Sequence, residues 1–414
     1  MTTSHARHAH ARAMLCYADQ PPSKLFLSPQ KTSNTQFSFT SGRWRDKDSS
    51  VQSQAFQSIL SVPNIRICSG PLTAADGLAT LPSSTATWPR ITLITPTLNR
   101  LSFLRDLIKN IQDQGYSNLE HIVVDGGSTD GTAEYVAQQG HITFIPGPDR
   151  NSHHAMNKGI AAATGEVVGF ANTDDRLPPG ALANVGAYFA MPQASDVLNG
   201  RCFLVPLENP QDSQSPAFEL QHMSGERGLF DELMFGAPGF NSWFFRRSLL
   251  TRDDLMAGPG QTFDESLIIA ADRAWLLRLF LTGHRPHRLM VPTYIYQLHS
   301  ASATLDPAAQ QADGILTEHR RLAIHLLPLA RRQPPGHAHA LSDWIAHESW
   351  QLLRRHLRSG RVAAAIDLLI RSIGQNPAFP LSLLRARRRR RRLAALAAAL
   401  PESGSNVDSQ AAAA

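Results

Sequence analysis

Short apolar runs alternate with amphipathic segments between residues 91 and 171, and this alternation limits the possible folds more than any other feature of the chain. It predicts strands at 91–95, 121–125, 142–145 and 166–171. It also predicts helices between those strands, the first of them carrying its apolar face on Leu101, Leu104, Leu107, Ile108 and Ile111. Such a chain is expected to fold as an α/β domain with a Rossmann-like, mostly parallel sheet and helices on both faces.

Composition divides the chain into four parts. Residues 1–88 are rich in Ser, Thr and Gln with little periodicity, which predicts a largely disordered N-terminal extension. Residues 89–306 contain the alternating region and form the predicted main domain. Residues 307–400 are rich in Ala, Leu and Arg, which predicts a helical C-terminal extension, and a disordered tail is expected at 401–414.

Weaker signals complete the outline of the fold. Residues 195–266 contain Pro and Gly punctuation and aromatic segments, which favours strands joined by long loops. A helix is predicted at 267–281 and a short strand at 294–297. In the extension, residues 340–358 and 362–374 predict a helical hairpin, which ends at Asn376 and Pro377.

Composition and charge also restrict the class of protein. The 414 residues are 42% hydrophobic, enough for at least one large core. Three widely spaced cysteines indicate neither a disulfide framework nor a zinc cluster and favour a reducing compartment. We find no apolar run of the ~18 residues that a membrane-spanning helix needs, and no secretory signal. A cytoplasmic protein, or one peripheral at the inner face of the membrane, is therefore expected; an organelle transit peptide is the less favoured interpretation of the Ala-, Arg- and His-rich start.

Polar clusters follow four of the predicted strands, at the edge where open parallel sheets bind ligands. The clusters are Thr95-Pro96-Thr97, the segment 125–130, Asp149-Arg150 with Asn157-Lys158, and the segment 172–175. Taken singly, Asp125 could belong to a tight turn, and Asp174-Asp175 could cap a helix beginning near Pro178. Together they suit a nucleoside diphosphate, whose charge needs a cation beside the carboxylates, so Mg²⁺ or Mn²⁺ is expected as cofactor.

A comparison of motifs narrows this expectation. The segments ITPTLNR, VVDGGSTDGT, AMNKGIAAATGEVVGFANTDD and FDESLIIAADRAWLLRL, in this order, resemble the motifs of the family 2 glycosyltransferases. The resemblance covers about half of the chain, residues 91–304. It implies a catalytic domain with the GT-A fold. It also implies an inverting transfer of a sugar, from a UDP- or GDP-linked donor to a hydroxyl of a surface glycan or a lipid-linked oligosaccharide.

The resemblance also implies roles for individual residues. Those expected to contact the nucleotide sugar are Thr95, Pro96, Thr97, Asn99, Asp125, Gly127, Ser128, Asp149, Asn157, Lys158 and Asp174. Asp175, with Asp174, is implied as a metal ligand, and His299 as a further one. Asp272 is implied as the catalytic base, with Asp264 and Glu265 as alternatives. Asp272 could instead be a first-turn carboxylate favoured by the helix dipole, and His299 could be purely structural.

Two departures from the family pattern keep other functions open. His154 stands where related sequences carry an acid before Ala-Met-Asn-Lys-Gly, and Ala237-Pro238-Gly239 replaces a segment that usually contains histidine. A nucleotide-sugar-binding or scaffold protein without turnover is therefore the alternative. A nucleotidyltransferase is less favoured because no Gly-rich, basic loop follows the first strand. The missing Gly-x-x-x-x-Gly-Lys-[Ser/Thr] motif argues against a P-loop enzyme.

The net charge of +6 is uneven, since Arg385 and the run 387–392 form a block near the C-terminus. Such a block on a helix suits anionic lipid head groups, which would fit an enzyme acting on a lipid-linked acceptor. A solvated face without a partner is the alternative, and nucleic acid is the least favoured partner.

Overall fold

The computed structural model describes residues 38–40, 43–45, 62–67, 88–206, 218–220, 222–223, 225–298 and 313–399. Its strands are β1 (Ser38–Thr40), β2 (Arg43–Arg45), β3 (Ile65–Ile67), β4 (Ile91–Thr97), β5 (Leu119–Asp125), β6 (Ile142–Pro146), β7 (Val167–Phe170), β8 (Val197–Pro206), β9 (Phe218–Leu220), β10 (Trp243–Arg246) and β11 (His287–Leu298). Its helices are α1 (Leu101–Gln112), α2 (Thr132–Ala137), α3 (Ser152–Ala162), α4 (Ala181–Phe189), α5 (Glu226–Phe235), α6 (Arg247–Leu250), α7 (Ala271–Leu281), α8 (Gly314–Arg331), α9 (Pro335–Arg358), α10 (Val362–Gln375) and α11 (Phe379–Ala399). The predictions for the tail and for most of 1–88 lie outside the described residues.

One mixed sheet forms the centre of the molecule, with β1 and β2 pairing separately. Its strands run in the order β3-β9-β8-β10-β7-β4-β5-β6, and β11 pairs in parallel with β8. Strands β6, β5, β4 and β7 are parallel neighbours, whereas β10 runs antiparallel to both β7 and β8. The predicted α/β fold with a parallel core is thus confirmed, and the antiparallel pairs are confined to the other half of the sheet.

Apolar strands and helix faces explain why the parallel half forms. All four residues of β7 and the first five residues of β4 are buried, as expected of strands covered on both sides. Helix α1 buries Leu104, Leu107, Ile108 and Ile111, the predicted face. Helix α3 packs very close to β4, so a Cβ added to Gly159 would overlap Ile94 Cγ2.

Several elements differ from their predicted limits, α7 and β11 among them. Helix α7 begins at Ala271 and not at 267, because the amide groups of Ile268, Ile269 and Ala270 donate to the Glu318 carboxylate of α8. Strand β11 covers 287–298, where only 294–297 was predicted. Its pairing with β8 shifts register on both sides of Pro292, and this interrupts the alternation that would have revealed the strand.

The C-terminal helices pack onto the main domain. The predicted hairpin is confirmed as α9 and α10, and apolar residues of α8, α9 and α11 join the same core as α5 and α7. Arg389 of α11 bonds to Asp231 of α5 (2.8 Å) and to Asp343 of α9 (3.1 Å), and Arg385 bonds to Asp343 (2.8 Å). Both carboxylates are buried, so these ion pairs fix the arginine-rich helix in one orientation. Within the described ranges, every helix is too short or too polar to cross a bilayer.

Candidate active site

The first part of the site lies where β4 and β5 end. The buried Asp125 carboxylate accepts hydrogen bonds from the backbone amide of Ser128 (3.0 Å) and from its hydroxyl. Asn99 adopts a left-handed conformation (φ 51°), in which its side chain accepts from the Thr129 amide (2.8 Å). The backbone amide of Asn99 donates to Ser128 Oγ (2.7 Å). The loops after β4 and β5 are therefore tied together, as expected for neighbouring parallel strands.

Several other predicted residues lie at this edge. Thr95 is buried and its hydroxyl bonds to His121 Nε2 (3.0 Å), so it faces the sheet interior. Pro96 is half-buried, and the Thr97 hydroxyl is buried without a hydrogen-bonding partner among the described residues. Gly127 has φ 97°, a conformation that a side chain would strain, and nothing lies within 4 Å of a Cβ placed there. This opening and the unpartnered hydroxyl leave room and a polar group for a ligand.

A charged cluster follows β6. Asp149 lies 3.0 Å from the ammonium group of Lys158 and 2.9 Å from His154 Nδ1. Its second oxygen, Oδ2, is buried without a hydrogen-bonding partner in the described structure. A Cβ added to Gly126 would lie 3.6 Å from this oxygen and 3.6 Å from the Thr97 carbonyl oxygen. The ends of β4, β5 and β6 therefore meet, and His154, the departure from the family pattern, joins their cluster.

Asp174 and Asp175 follow β7 in different environments. The Asp174 side chain is 14% exposed and forms an ion pair with Arg100 (2.7 Å), which precedes α1. Asp175 is buried, and its carboxylate accepts from the Tyr294 hydroxyl (2.7 Å), the Gln297 amide (2.9 Å) and Asn172 Nδ2 (3.2 Å). The alternative of a helix cap is wrong, since α4 begins at Ala181 after Gly180, with no side-chain cap.

Burial and the neighbouring Asp174 charge raise the pKa of Asp175 to about 8. A carboxyl group with this pKa is largely protonated at neutral pH, and its oxygens already face three donors. Among the described residues, His, Cys, Asp and Glu nowhere gather in a group of three suited to a metal ion. Of the two carboxylates, the more exposed Asp174 is the one that could hold a hard cation, in competition with Arg100, which pairs with it. His299 lies outside the described residues.

Asn157 and Glu265 fasten the segment that leads to α7. The Asn157 amide donates to the Phe263 carbonyl oxygen (2.9 Å) and to Glu265 Oε1 (2.9 Å), and its oxygen accepts from the Phe263 amide (3.0 Å). Glu265 also forms an ion pair with Arg150. Asn157 is buried, so its amide positions residues 263–265 beside α3. Glu265, which bonds to Arg150 and Asn157, also helps to fasten this segment beside α3.

Asp272 lies in the first turn of α7 and is partly exposed. The helix lacks a side-chain cap of its own, and Glu318 takes that place by accepting from Ile268 (2.8 Å), Ile269 (2.9 Å) and Ala270 (3.1 Å). Burial lowers the pKa of His153 in the first turn of α3, and the negative charges of Asp272 and Glu318 oppose this shift. The segment that leads to α7 lies beside α3, since Asn157 bonds to Phe263 and Glu265.

Three of these contacts could not be predicted from local sequence. Arg100, Tyr294 and Glu318 each bond to a residue of the site from 48 to 122 positions away in the chain. Only Arg100 carried a local signal, since it ends the motif ITPTLNR. Tyr294 and Glu318 lie in segments whose patterns predict ordinary strand and helix.

Comparison with known proteins gives a match to one family. Residues 92–251 match the family model described as Glycosyl transferase family 2. Residues 92–251 are thus similar to the family 2 glycosyltransferases, and the resemblance inferred from the motifs is confirmed over that region.

Two relatives of the chain are named as glycosyltransferases of glycan biosynthesis. The chain is 29% identical over 157 residues to the PGL/p-HBAD biosynthesis glycosyltransferase of Mycobacterium bovis, covering 36% of this chain and 60% of the relative. It is 36% identical over 107 residues to the GalNAc(5)-diNAcBac-PP-undecaprenol beta-1,3-glucosyltransferase of Campylobacter jejuni, covering 23% and 33%. The chain thus spans from about a third to 60% of the length of such curated relatives.

A solved structure that superposes on the chain is that of the mannosyltransferase PcManGT from Pyrobaculum calidifontis, in complex with GDP-Man and Mn²⁺. The TM-score is 0.42 at 20% identity, over 75% of this chain and 86% of the other.

Proposed function

We propose that this protein is an inverting, metal-dependent glycosyltransferase that moves a sugar from a nucleoside diphosphate donor to a hydroxyl group. The observation that carries the proposal is the meeting of Thr97, Asp125, Asp149 and Asp174 at the carboxyl ends of neighbouring parallel strands. The family match supports the same chemistry. Donor identity, UDP- or GDP-linked, is part of the proposal.

In this proposal the ends of β4 and β5 bind the nucleoside. Asp125, held by Ser128, accepts hydrogen bonds from the base or the ribose, while the open backbone at Gly127 lets the ligand approach closely. Thr97 offers its unpartnered hydroxyl, and Lys158 offers a positive charge toward the diphosphate. The remaining nucleotide-sugar residues implied by the motifs, Thr95, Pro96, Asn99 and Asn157, act by shaping and fastening these loops.

Asp174 would hold a divalent cation, Mg²⁺ or Mn²⁺, which would supply Lewis-acid stabilisation of the leaving diphosphate. Asp175 fastens the loop after β7, which carries Asp174, to β11 by accepting hydrogen bonds from Tyr294 and Gln297. Arg100 orients the Asp174 carboxylate from the opposite side. These contacts keep Asp174 in one position before the donor binds, so little ordering remains to be done during the reaction.

Asp272 is the proposed catalytic base. It takes the proton from the acceptor hydroxyl as that oxygen attacks the anomeric carbon opposite the leaving nucleotide, which inverts the configuration. Its place in the first turn of α7, fastened by Glu318 and by Arg273 bonding to the Gly236 carbonyl oxygen (3.0 Å), gives it a fixed direction. The acceptor is a surface glycan or lipid-linked oligosaccharide, reached in the cytoplasm at the inner membrane face. The Campylobacter jejuni relative, named for an undecaprenol-linked substrate, supports this class of acceptor.

The decisive experiment measures nucleotide release from a panel of UDP- and GDP-sugars, with Mg²⁺, with Mn²⁺ and with a chelator. We expect release with one donor, its loss on chelation, and its loss in Asp174→Ala. Asp272→Asn should bind the donor with wild-type affinity while turnover falls by roughly 10²- to 10⁴-fold. Arg332→Ala, an exposed change at the residue that follows α8, is the matched control and should keep full activity.

Turnover that survives both the chelator and Asp174→Ala would refute the metal assignment. Equal turnover of wild type and Asp272→Asn would remove the proposed base. Donor binding without turnover under any condition would favour the alternative of a nucleotide-sugar-binding protein.

A further inference from the structure

The positive charge of this chain is concentrated in its last three described helices. Residues 335–399 contain twelve arginines but only three carboxylate side chains, so their formal charge exceeds the +6 of the whole sequence. Two of these carboxylates, Asp343 and Glu348, are buried, and the third, Asp367, pairs with Arg371 (3.0 Å). The helical extension therefore presents a strongly cationic surface, while the rest of the chain is net acidic.

The arginine block on α11 has two faces. Arg385 and Arg389 point inward and bond to Asp343 and Asp231, as described above. Arg387 and Arg391 lie on the other side of the helix, are exposed, and line a groove of about 820 Å³ between α9 and α11. The inward pairs hold the helix still, and the outward arginines are thereby presented in a fixed arrangement.

This groove combines cationic and apolar walls. Arg354 and Arg390 line it beside Arg387 and Arg391, and Trp350 and Leu383 supply apolar surface. No carboxylate lines it within the part of the chain that the structure describes. A smaller cavity of about 310 Å³, with three arginines of α9 in its wall, shares Gln351 and Arg354 with the groove. The cationic surface thus continues along α9.

Helix α10, which packs on α9, carries an unusual exposed stripe. Val362, Ile366, Leu369, Ile370 and Ile373 are between 37% and 64% exposed. At 100° per residue they fall within one sector of about 100°, while Asp367 and Arg371 lie outside it. Only Ala365 and Ser372 of this helix are buried. An exposed aliphatic face and an arginine-rich surface are the two features by which helices bind a membrane interface, and here α10 supplies the first while α9 and α11 supply the second.

We propose that the surface formed by α9, α10 and α11 docks this protein onto an anionic lipid bilayer. The arginine-lined groove takes phosphate head groups, and the stripe on α10 enters the boundary between head groups and acyl chains. The proposal deepens the proposed function, because a lipid-linked acceptor is reached at such a surface. It does not depend on turnover, since lipid binding needs no nucleotide sugar.

The test is flotation of the full chain with phosphatidylcholine vesicles and with vesicles containing about a third phosphatidylglycerol. We expect binding to the anionic vesicles alone, and weaker binding as salt is raised. Arg387→Ala/Arg391→Ala should weaken partitioning by about 30-fold, from ~1 kcal/mol per arginine near the surface. Arg331→Ala/Arg332→Ala removes the same charge from exposed positions outside the groove and should lose much less. Ile366→Ser/Ile370→Ser tests the apolar stripe.

Quenching of Trp350 by brominated acyl chains, absent in Trp350→Phe, should show that the groove faces the lipid. Equal binding to both vesicle types, or equal loss in the two arginine pairs, would overturn the proposal. So would binding of pyrophosphate or a single-stranded oligonucleotide without any binding of anionic vesicles. Full vesicle binding by the isoleucine variant would remove α10 from the docking surface. Donor hydrolysis, measured separately, distinguishes failure here from failure of the proposed transfer.

Discussion

A substitution of Glu318 tests directly whether the helical extension positions residues of the proposed site. The Glu318 carboxylate accepts three backbone hydrogen bonds from residues 268–270, immediately before the turn that carries Asp272. Oε1 accepts from Ile268, whereas Oε2 accepts from Ile269 and Ala270. Glu318→Gln has nearly the same shape, but its amide nitrogen must face at least one amide donor. The change therefore removes bonds without creating a cavity.

The expected cost follows from this geometry. Turning the Gln oxygen toward Ile269 and Ala270 loses one bond, and the opposite orientation loses two. Bonds to a charged group contribute about 1.5 to 3 kcal/mol each, and partial exposure of this segment favours the lower value. The remaining bonds also lose the charge and its attraction to the positive end of α7. We therefore expect unfolding to become easier by about 2 to 3 kcal/mol.

Urea unfolding monitored by circular dichroism measures the loss of stability in Glu318→Gln, and steady-state kinetics measures its effect on turnover. We expect kcat to fall while KM for the donor stays the same, since Glu318 lies by α7 and not by the nucleoside pocket. Glu134→Gln, an exposed first-turn carboxylate of α2, is the matched control and should change stability by less than about 0.5 kcal/mol. Unchanged stability and unchanged kcat in Glu318→Gln would refute the capping role.

Three further predictions test the fold around the site. Burial lowers the pKa of His121 to about 3, so between that value and the ordinary pKa of about 6.5 only the unfolded chain binds the proton, and stability is lost as the pH falls. His121→Gln should lose about 2 kcal/mol less than the wild type by about pH 5. Equal pH profiles of the two proteins in urea unfolding would contradict this prediction. Tyr294→Phe removes a buried hydroxyl that donates to Asp175 and accepts from the Asn172 backbone amide and from Asn241, and should cost about 1 to 3 kcal/mol in the same assay. A change below about 0.5 kcal/mol would mean that Asp175 is not anchored. Gly159→Ala should destabilise the protein by about 1 to 3 kcal/mol because a Cβ would collide with Ile94 of β4. Gly374→Ala, where nothing lies within 4 Å of an added Cβ, is the control and should be neutral or stabilising. Equal effects of the two changes in thermal unfolding would contradict the close packing of α3 on β4.

The parallel half of the sheet was predictable because its information is local. Each of β4, β5 and β7 is rich in Ile, Leu or Val, and each is followed closely by its own polar residues. Once such strands are taken as parallel neighbours, Asp125 and Asp174 must lie at one edge. Their proximity therefore followed from a general rule about sheets, without knowledge of any distant contact.

The remaining features depend on pairs that are far apart in sequence. Nothing near Asp175 shows that Tyr294, 119 residues later, buries and bonds it, so its environment differs from that of Asp174. The start of α7 was placed too early because its capping group, Glu318, is supplied from another helix. Strand β11 was underestimated because Pro292 and two register shifts interrupt its pattern. In each case tertiary contacts override what the local residues indicate.

The ion pairs of Arg389 also bear on how this protein can be shortened. A version ending before α11 would leave Asp231 and Asp343 as buried charges whose arginine partners had been deleted, and such losses typically cost several kcal/mol. The same cut would expose the apolar surface that Leu393 and Ala397 cover. The extension is therefore not a detachable appendage: recombinant fragments made to isolate the sugar-transfer domain should keep residues up to 399, or they will aggregate for reasons unrelated to catalysis.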